Sequence, residues 1–252
     1  DYDREKWSGF AKWVLETGER LGMRFSDERI VISRVIGDLV RVKHQRGSVE
    51  IPNGVQIPDI PETSDTPERF GLEPGKYVLN VSRMVPEKRH LDLIRGFSEA
   101  GLDGWKLALV GALDEKDAYT RKIVDAVEHT PGVVLTGFQV GRQLAELYGN
   151  AGVFALASTH EGLPIALLEA LSYGLPAVAS DIPANKEVGL PTEQYLRTGD
   201  PGDMARCLES AAVRPRNEDY RNELRAWVKK KYDWRQIACS TLDVYRRVCR
   251  HS

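Results

Sequence analysis

Short apolar runs alternate with longer amphipathic segments over most of the chain. Such runs are typical of buried strands, and they lie at YVLNVS (77–82), WKLALVG (105–111), GVVLTG (132–137), GVFALAS (152–158), PAVAS (176–180) and QYLRTG (194–199). Apolar positions at helical spacing between them predict helices near 87–100, 114–129, 140–150 and 201–213. The alternation predicts an α/β fold, a parallel sheet with helices on both faces, in which ligands bind in loops at the carboxyl ends of the strands.

The two ends of the chain follow a different pattern. Residues 1–57 have the order helix, strand, helix, strand, a partial βαβ segment too small for a core of its own. Residues 58–72 are rich in proline, acidic and hydroxyl residues, as linkers often are. We therefore expect a remnant of another domain at 1–57, a linker at 58–72, the main domain at 73–232 and a C-terminal helix at 233–252 that packs toward the N-terminal segment.

Composition narrows the class of protein and partner. The 252 residues are 42% hydrophobic and 29% charged, with a formal net charge of −2, which favours a globular protein and no nucleic-acid partner. No apolar run approaches the roughly 18 residues of a membrane span, and nothing resembles a signal peptide. The three cysteines form no CxxC pair, so we expect reduced thiols and a cytoplasmic location.

Two predicted loops carry candidate chemistry, and the first is SRMVPEKRH, directly after the strand at 77–82. Its Arg83 and Lys88 form the pattern R-x4-K. Cations at the carboxyl end of a strand, beside a helix N-terminus, favour a phosphate site. The alternative is a solvated basic loop, since Arg89 and acidic residues lie nearby.

The second loop is STHEGLPIALLEA, which follows the strand at 152–158 and opens a helix. Pro164 suits the first helical turn, and Gly162 lets a ligand approach the backbone, where Leu163 offers a further N–H group. Glu161 lies in the loop, whereas Glu169 lies one to two turns inside the helix. Two carboxylates would repel a phosphate, so we expect them to accept hydrogen bonds from hydroxyls on either side of it. The alternative is that Glu169 is a surface residue of the helix and that Glu161 interacts favourably with the helix dipole.

Together the two loops favour a nucleotide sugar as the ligand, because such a molecule has a sugar on one side of a diphosphate and a ribose on the other. A glycoside hydrolase also uses two carboxylates but has no need of the cationic loop. The glycine-rich dinucleotide and P-loop motifs, HExxH and G-x-S-x-G are absent from the sequence. No cluster with metal-ligand spacing is present either, so we expect neither a metal nor a cofactor.

At this point the sequence resembles the retaining glycosyltransferases of family 4, which have the GT-B fold of two Rossmann-like domains. The resemblance rests on IPNGV (51–55), SRMVPEKRHLDLIRGF (82–97), LALVG (107–111), the stretch 135–180 and RTGDPGDMA (197–205). It implies that residues 73–232 are the donor-binding domain and that 1–57 end the acceptor domain, in a form similar to rhamnosyltransferases. Two positions depart from the family pattern, since Ala157 replaces a usual proline and Gln56 a usual aspartate.

The resemblance also implies a role for each candidate residue. Arg83 and Lys88 would bind the donor diphosphate and stabilise the leaving group. Glu161 would contact the transferred sugar, with help from the backbone N–H groups of residues 162 and 163. Glu169 would hold the ribose, and the loop at Gly137–Phe138 would lie against the base.

We therefore expect the donor half of a retaining, hexosyltransferase-type enzyme of polysaccharide or cell-envelope biosynthesis. Its donor would be a UDP-, GDP-, ADP- or dTDP-linked sugar, and its acceptor a glycan or a lipid-linked glycan. The first predicted helix carries Trp7 and Trp13, which either face a membrane in a peripherally bound enzyme or pack against another domain. The alternatives are a non-catalytic nucleotide-sugar-binding module and another GT-B enzyme, such as a nucleotide-sugar epimerase.

Overall fold

The computed structural model describes residues 8–114, 116–214 and 217–251, which form two compact units. The first unit contains the chain up to Asn53 and again from Arg235 onward, and the second is Gly54–Trp234. The expected linker, 58–72, lies in the second unit.

The helices and strands alternate along most of the chain. The helices are α1 (Gly9–Phe25), α2 (Arg34–His44), α3 (Asp65–Arg69), α4 (His90–Ala100), α5 (Ala118–Glu128), α6 (Gly141–Asn150), α7 (Ile165–Ser172), α8 (Pro183–Val188), α9 (Pro201–Ala212), α10 (Glu218–Tyr232) and α11 (Trp234–His251). The strands are β1 (Ile30–Val31), β2 (Val49–Glu50), β3 (Tyr77–Val81), β4 (Lys106–Val110), β5 (Val133–Gly137), β6 (Val153–Leu156), β7 (Ala177–Ser180) and β8 (Tyr195–Leu196).

The second unit is built on a six-stranded parallel sheet with the order β5-β4-β3-β6-β7-β8. The chain runs outward from β3 to β5 and then returns to the other side of β3, where Leu79 pairs with Phe154 of β6. Helices flank the sheet, and this arrangement confirms the predicted α/β fold. The reversal of strand order between β3 and β6 is the topological switch point, where ligands of open α/β sheets bind.

The central strands are buried along almost their whole length, as continuous apolar runs in a parallel sheet require. A polar residue, Asn80, lies inside β3 and is fully buried. Its side-chain amide donates to the carbonyl of Ala155 in β6, at 2.8 Å. The asparagine therefore ties together the two strands that flank the switch point.

Within the second unit, Glu146 of α6 holds the segment 58–72 in place. The carboxylate accepts from the Thr63 hydroxyl at 2.6 Å and from the Thr66 backbone N–H at 2.9 Å, and it also pairs with Arg142 at 2.8 Å. These bonds hold the pKa of Glu146 at about 2, below its ordinary 4.5. They fix the short helix α3 where the composition alone indicated a linker.

In the first unit, β1 and β2 form a parallel pair, and α1 and α2 are joined by Glu19, which pairs with Lys43 and His44. One face of α1 is apolar and exposed, with Trp13 61% exposed. Trp7, the other tryptophan of the predicted membrane or domain contact, lies outside the described residues. Among the helices that the structure describes, none is both long enough and apolar enough to cross a membrane.

Candidate functional site

The two candidate loops meet at one edge of the sheet, because β3 and β6 are neighbours and run parallel. Lys88, in the loop after β3, places its Nζ 2.5 Å from Oε1 of Glu161, in the loop after β6. The two side chains are only 15% and 11% exposed, respectively. The structure thus brings together a predicted phosphate-binding cation and a predicted sugar-binding carboxylate as a largely buried ion pair.

A backbone hydrogen bond connects the two loops. The carbonyl of Glu87 accepts from the backbone N–H of Thr159 at 2.8 Å and lies 3.3 Å from its hydroxyl. Residues 86–88 form a 3-10 turn, and Arg89 then takes a left-handed conformation with φ 55°. That conformation separates the turn from α4, which begins at His90, about three residues after the predicted helix start.

A buried hydrogen-bonded chain lies beneath this turn. The hydroxyl of Ser82 donates to Oδ1 of Asn80 at 2.9 Å, and it lies 2.8 Å from Nε2 of His90. Because the serine has a single hydrogen, Nε2 of His90 must donate to it, which fixes the tautomer. Burial, and then the charge of Lys88, lower the pKa of His90 to about 4, so the imidazole is neutral.

Arg83 directly follows Ser82 in the loop after β3 and is exposed to solvent. Its side chain is exposed and has no hydrogen-bond or ion-pair partner among the residues that the structure describes. The guanidinium therefore keeps its full set of donors for a ligand, whereas Lys88 is already engaged.

The turn into α7 presents backbone donors beside Glu161. Pro164 is the N-cap residue and α7 begins at Ile165, so the proline lies one position before the predicted first turn. Leu163 and Pro164 are buried, and the backbone N–H groups of Gly162 and Leu163 have no acceptor in the described part of the chain. Unpaired N–H groups at a helix entrance favour a polar or anionic ligand atom.

Glu169 lines a groove of about 330 Å³ between α6 and α7. The groove also includes Tyr148, Tyr173, Gln56 and Trp234 in its wall. Burial raises the pKa of Glu169, while a hydrogen bond from the Tyr148 hydroxyl to its Oε2, at 3.0 Å, lowers it. The second acid therefore occupies a partly desolvated pocket of its own and is not a solvated helix residue.

Gly137 and Phe138 lie at the carboxyl end of β5, the edge strand of the same sheet. Gly137 has φ 71°, a conformation that favours glycine, and Phe138 is 70% exposed. Gly141, four residues farther along, lines the groove that holds Glu169. The loop therefore leads into α6, whose first residue lines that groove.

Sequence reasoning missed Tyr148 and His90, which touch the candidate residues or their loops. Tyr148 occupies an apolar position of an amphipathic helix, where an aromatic side chain is equally typical of a core. The hydrogen bonds that link His90 to Ser82 and Asn80 could have been suspected from Asn80, a polar residue within an otherwise apolar strand. Among the described residues, no group of three or more His, Cys, Asp or Glu side chains is arranged to hold a metal ion.

Comparison with protein families matches residues 63–223 to a model described as Glycosyl transferases group 1. The amylovoran biosynthesis glycosyltransferase AmsD of Erwinia amylovora is 35% identical over 105 residues, which cover 41% of this chain and 29% of AmsD. The phosphatidyl-myo-inositol mannosyltransferase of Mycobacterium leprae is 27% identical over 241 residues, which cover 88% of this chain and 60% of that protein. The chain therefore spans about 30–60% of the length of these two relatives.

Solved structures share the fold. Anabaena HepE, crystallised with UDP and glucose, superposes with a TM-score of 0.84 at 18% identity, over 98% of this chain and 69% of HepE. The sucrose-phosphate synthase of Thermosynechococcus elongatus gives a TM-score of 0.81 at 21% identity, over 100% of this chain and 65% of that protein. At these identities the likeness concerns the fold alone.

Proposed function

Because the chain belongs to the family of glycosyl transferases group 1, we propose that its second unit binds a nucleotide-diphosphate sugar as the donor half of a retaining glycosyltransferase. The observation that carries the proposal is the contact between Lys88 and Glu161 at the topological switch point. It joins a cation suited to a diphosphate to a carboxylate suited to sugar hydroxyls, within one ligand's reach.

In this proposal Arg83 and Lys88 hold the diphosphate. Arg83 is exposed and unpaired among the described residues, so its planar donors can grip phosphate oxygens bidentately. Lys88, whose side chain is only 15% exposed, supplies a point charge. As the bond between the sugar and the diphosphate breaks, negative charge grows on the leaving phosphate, and these two cations stabilise it. They provide the positive charge that a metal ion would otherwise contribute.

Glu161 then turns from Lys88 to the hydroxyls of the transferred sugar, beside the N–H groups of Gly162 and Leu163. Glu169 accepts from the hydroxyls of the ribose in its groove. The base lies toward Gly137–Phe138, where the exposed backbone and ring of that loop offer contacts. One extended donor thereby spans the ends of β5, β3 and β6.

For the transfer step we propose retention of configuration. The acceptor hydroxyl attacks the anomeric carbon from the face that the diphosphate leaves, and a phosphate oxygen takes the hydroxyl proton. The new glycosidic bond replaces the bond to the diphosphate, and the nucleoside diphosphate departs with the proton. The protein's contribution is then orientation and fixed charge, which are general sources of rate enhancement.

The names of the relatives suggest the substrate class. They include a phosphatidyl-myo-inositol mannosyltransferase of Mycobacterium leprae, a serotype-specific mannosyltransferase of Escherichia coli and AmsD, a glycosyltransferase of amylovoran biosynthesis. We accordingly propose a UDP-, GDP-, ADP- or dTDP-linked hexose as donor and a glycan or lipid-linked glycan as acceptor, with peripheral membrane attachment of the whole protein.

The test is calorimetric titration of the 252-residue chain with UDP-, GDP-, ADP- and dTDP-sugars. Loss of a hydrogen-bonded charge is worth about 1.5–3 kcal/mol, so Arg83→Ala and Lys88→Ala should each weaken the best ligand about 10- to 100-fold. Arg95→Ala is the matched control, because Arg95 is an exposed arginine within α4.

Two results would contradict the donor site: no binding by the unmodified chain, or equal affinities for the Arg83, Lys88 and Arg95 variants. Binding without transfer to any acceptor, in the whole protein from which the chain comes, would favour the non-catalytic module. Conversion of the bound sugar to its epimer would favour an epimerase.

A further inference from the structure

The ring of Tyr148 is fixed in place between two aromatic neighbours. It is 1% exposed, stacks on Tyr173 with centroids 5.3 Å apart and planes at 11°, and lies 6.1 Å from the ring of Phe154 in β6. Stacked and tilted contacts of this kind restrict the ring's rotation and translation. The phenolic oxygen is therefore held at one point of the groove between α6 and α7.

The hydroxyl at that point donates to Glu169. Its oxygen lies 3.0 Å from Oε2 of Glu169 and 3.4 Å from the carbonyl of Ala166. The phenol has one hydrogen, and the nearer, ionised acceptor forms the stronger bond. Burial and the neighbouring carboxylate raise the pKa of Tyr148 far above its ordinary value, so the hydroxyl stays a donor at every working pH.

The bond occupies only part of the carboxylate. Oε1 of Glu169 has no hydrogen-bond partner among the described residues, and Oε2 keeps a further lone pair. Two neighbouring hydroxyls, such as the cis-diol of a ribose, can bind to these remaining acceptor positions. The phenol thereby sets the direction in which the carboxylate meets such a diol.

We propose that Tyr148 is a positioning residue for nucleoside recognition, which orients the Glu169 carboxylate toward a ribose diol. This inference rests on the proposed function, in which the same groove holds the donor's ribose. Tyr148 does not touch the ligand itself in this role. It acts through the carboxylate, and its contribution should therefore depend on the protonation state of Glu169.

The direction of that dependence follows from two opposing effects on Glu169. Burial raises its pKa, and the Tyr148 hydrogen bond lowers it. Removing the hydroxyl leaves burial unopposed, so the pKa of Glu169 rises further and more of the acid is protonated at a given pH. A protonated acid offers fewer acceptor positions. Tyr148→Phe should therefore weaken diol binding, and the loss should grow as the pH falls.

The experiment compares Tyr148→Phe with Tyr77→Phe in the 252-residue chain. Tyr77 is the matched control, because its buried hydroxyl donates to the Leu147 carbonyl of the same helix at 2.5 Å. UDP, GDP and ADP are titrated first, and the tightest is then measured at pH 8 and pH 6 beside its 2′-deoxy counterpart. Tyr148→Phe should weaken the ribonucleotide about tenfold at pH 8 and more at pH 6, by analogy with the loss of a charge-assisted hydrogen bond. The 2′-deoxy ligand should lose less.

The outcomes separate this inference from the proposed function. Binding by the unmodified chain, with equal pH profiles for the Tyr148 and Tyr77 variants, would overturn the positioning role and leave the donor site standing. Absence of nucleotide binding by the unmodified chain would overturn both. If Tyr148→Phe does not fold, Glu169→Gln tests the same link, because its ribonucleotide affinity should be weak and its preference for the ribonucleotide over the 2′-deoxy ligand should be independent of pH between 6 and 8. An unchanged affinity in that variant would also overturn the inference.

Discussion

The buried imidazole of His90 should make the protein less stable in mild acid by a calculable amount. Burial, and then the charge of Lys88, lower its pKa from 6.5 to about 4. Between these values the unfolded chain binds a proton that the folded chain does not, so stability is complete above about pH 6.5 and falls as the pH drops. At about 1.4 kcal/mol for each tenfold change in proton affinity, the loss is about 2 kcal/mol by pH 5 and about 3 kcal/mol by pH 4.

The perturbation that isolates this effect is His90→Gln. The glutamine amide can still donate to the Ser82 hydroxyl, but it does not titrate. Urea unfolding at pH 7.5 and pH 5 gives the free energy of unfolding for both proteins, and the other ionisable groups are common to both. The variant should therefore lose about 2 kcal/mol less than the unmodified chain between the two pH values.

His129→Gln is the control, because this exposed histidine has its pKa raised by the backbone and charge of Asp125. Its protonated form is favoured in the folded chain, so the replacement should cost more stability at pH 5 than at pH 7.5. That sign is opposite to the one expected for His90. Equal losses between pH 7.5 and pH 5 in the unmodified chain and in His90→Gln would refute the buried, neutral imidazole.

Two further predictions concern the ion pair and the helix packing. Glu161→Gln should strengthen the binding of a nucleoside diphosphate without sugar by about tenfold, or about 1.4 kcal/mol, because Lys88 no longer has a competing carboxylate. The affinity for the sugar-bearing donor should increase less. Weaker binding of the bare nucleoside diphosphate in calorimetry would contradict the competition between Glu161 and the diphosphate for Lys88. Gly96→Ala should destabilise the fold by about 1–3 kcal/mol in urea unfolding, since its Cβ would lie 2.4 Å from Cγ of Met204. Gly18→Ala in α1 meets nothing within 4 Å and should instead stabilise by about 0.5–1 kcal/mol, as glycine is a poor helix residue; equal effects of the two changes would show that crowding is not the cause.

The six strands of the sheet were predictable because each depends on a local apolar run. YVLNVS and GVFALAS, for example, became β3 and β6 with small changes at their ends. Helix starts were less predictable. The helix expected from about residue 87 begins at His90, because Arg89 adopts a left-handed conformation that composition does not reveal. Residues 65–69 form a helix because a distant carboxylate, that of Glu146, holds that segment.

The candidate site was predictable in its chemistry and much less in its contacts. Paired cations and paired acids in strand-to-helix loops suggested a diphosphate between hydroxyl groups. Nothing local indicated that Lys88 and Glu161, 73 positions apart, form an ion pair in the unliganded protein. Nothing local distinguished Tyr148 from an ordinary core aromatic residue, since both occupy the buried face of a helix.

The sequence by itself determined the alternation of strands and helices and the side chains that each loop offers, because these depend on residues close together in the chain. Only the tertiary structure decided that β3 and β6 are neighbours, because strand order follows from how the helices and strands pack as a whole. That adjacency brings Lys88 to Glu161, and the packing of α6 on α7 brings Tyr148 to Glu169. Burial at the second of these contacts then raises the pKa values of Tyr148 and Glu169, since desolvation depends on the folded surroundings and not on the residue type.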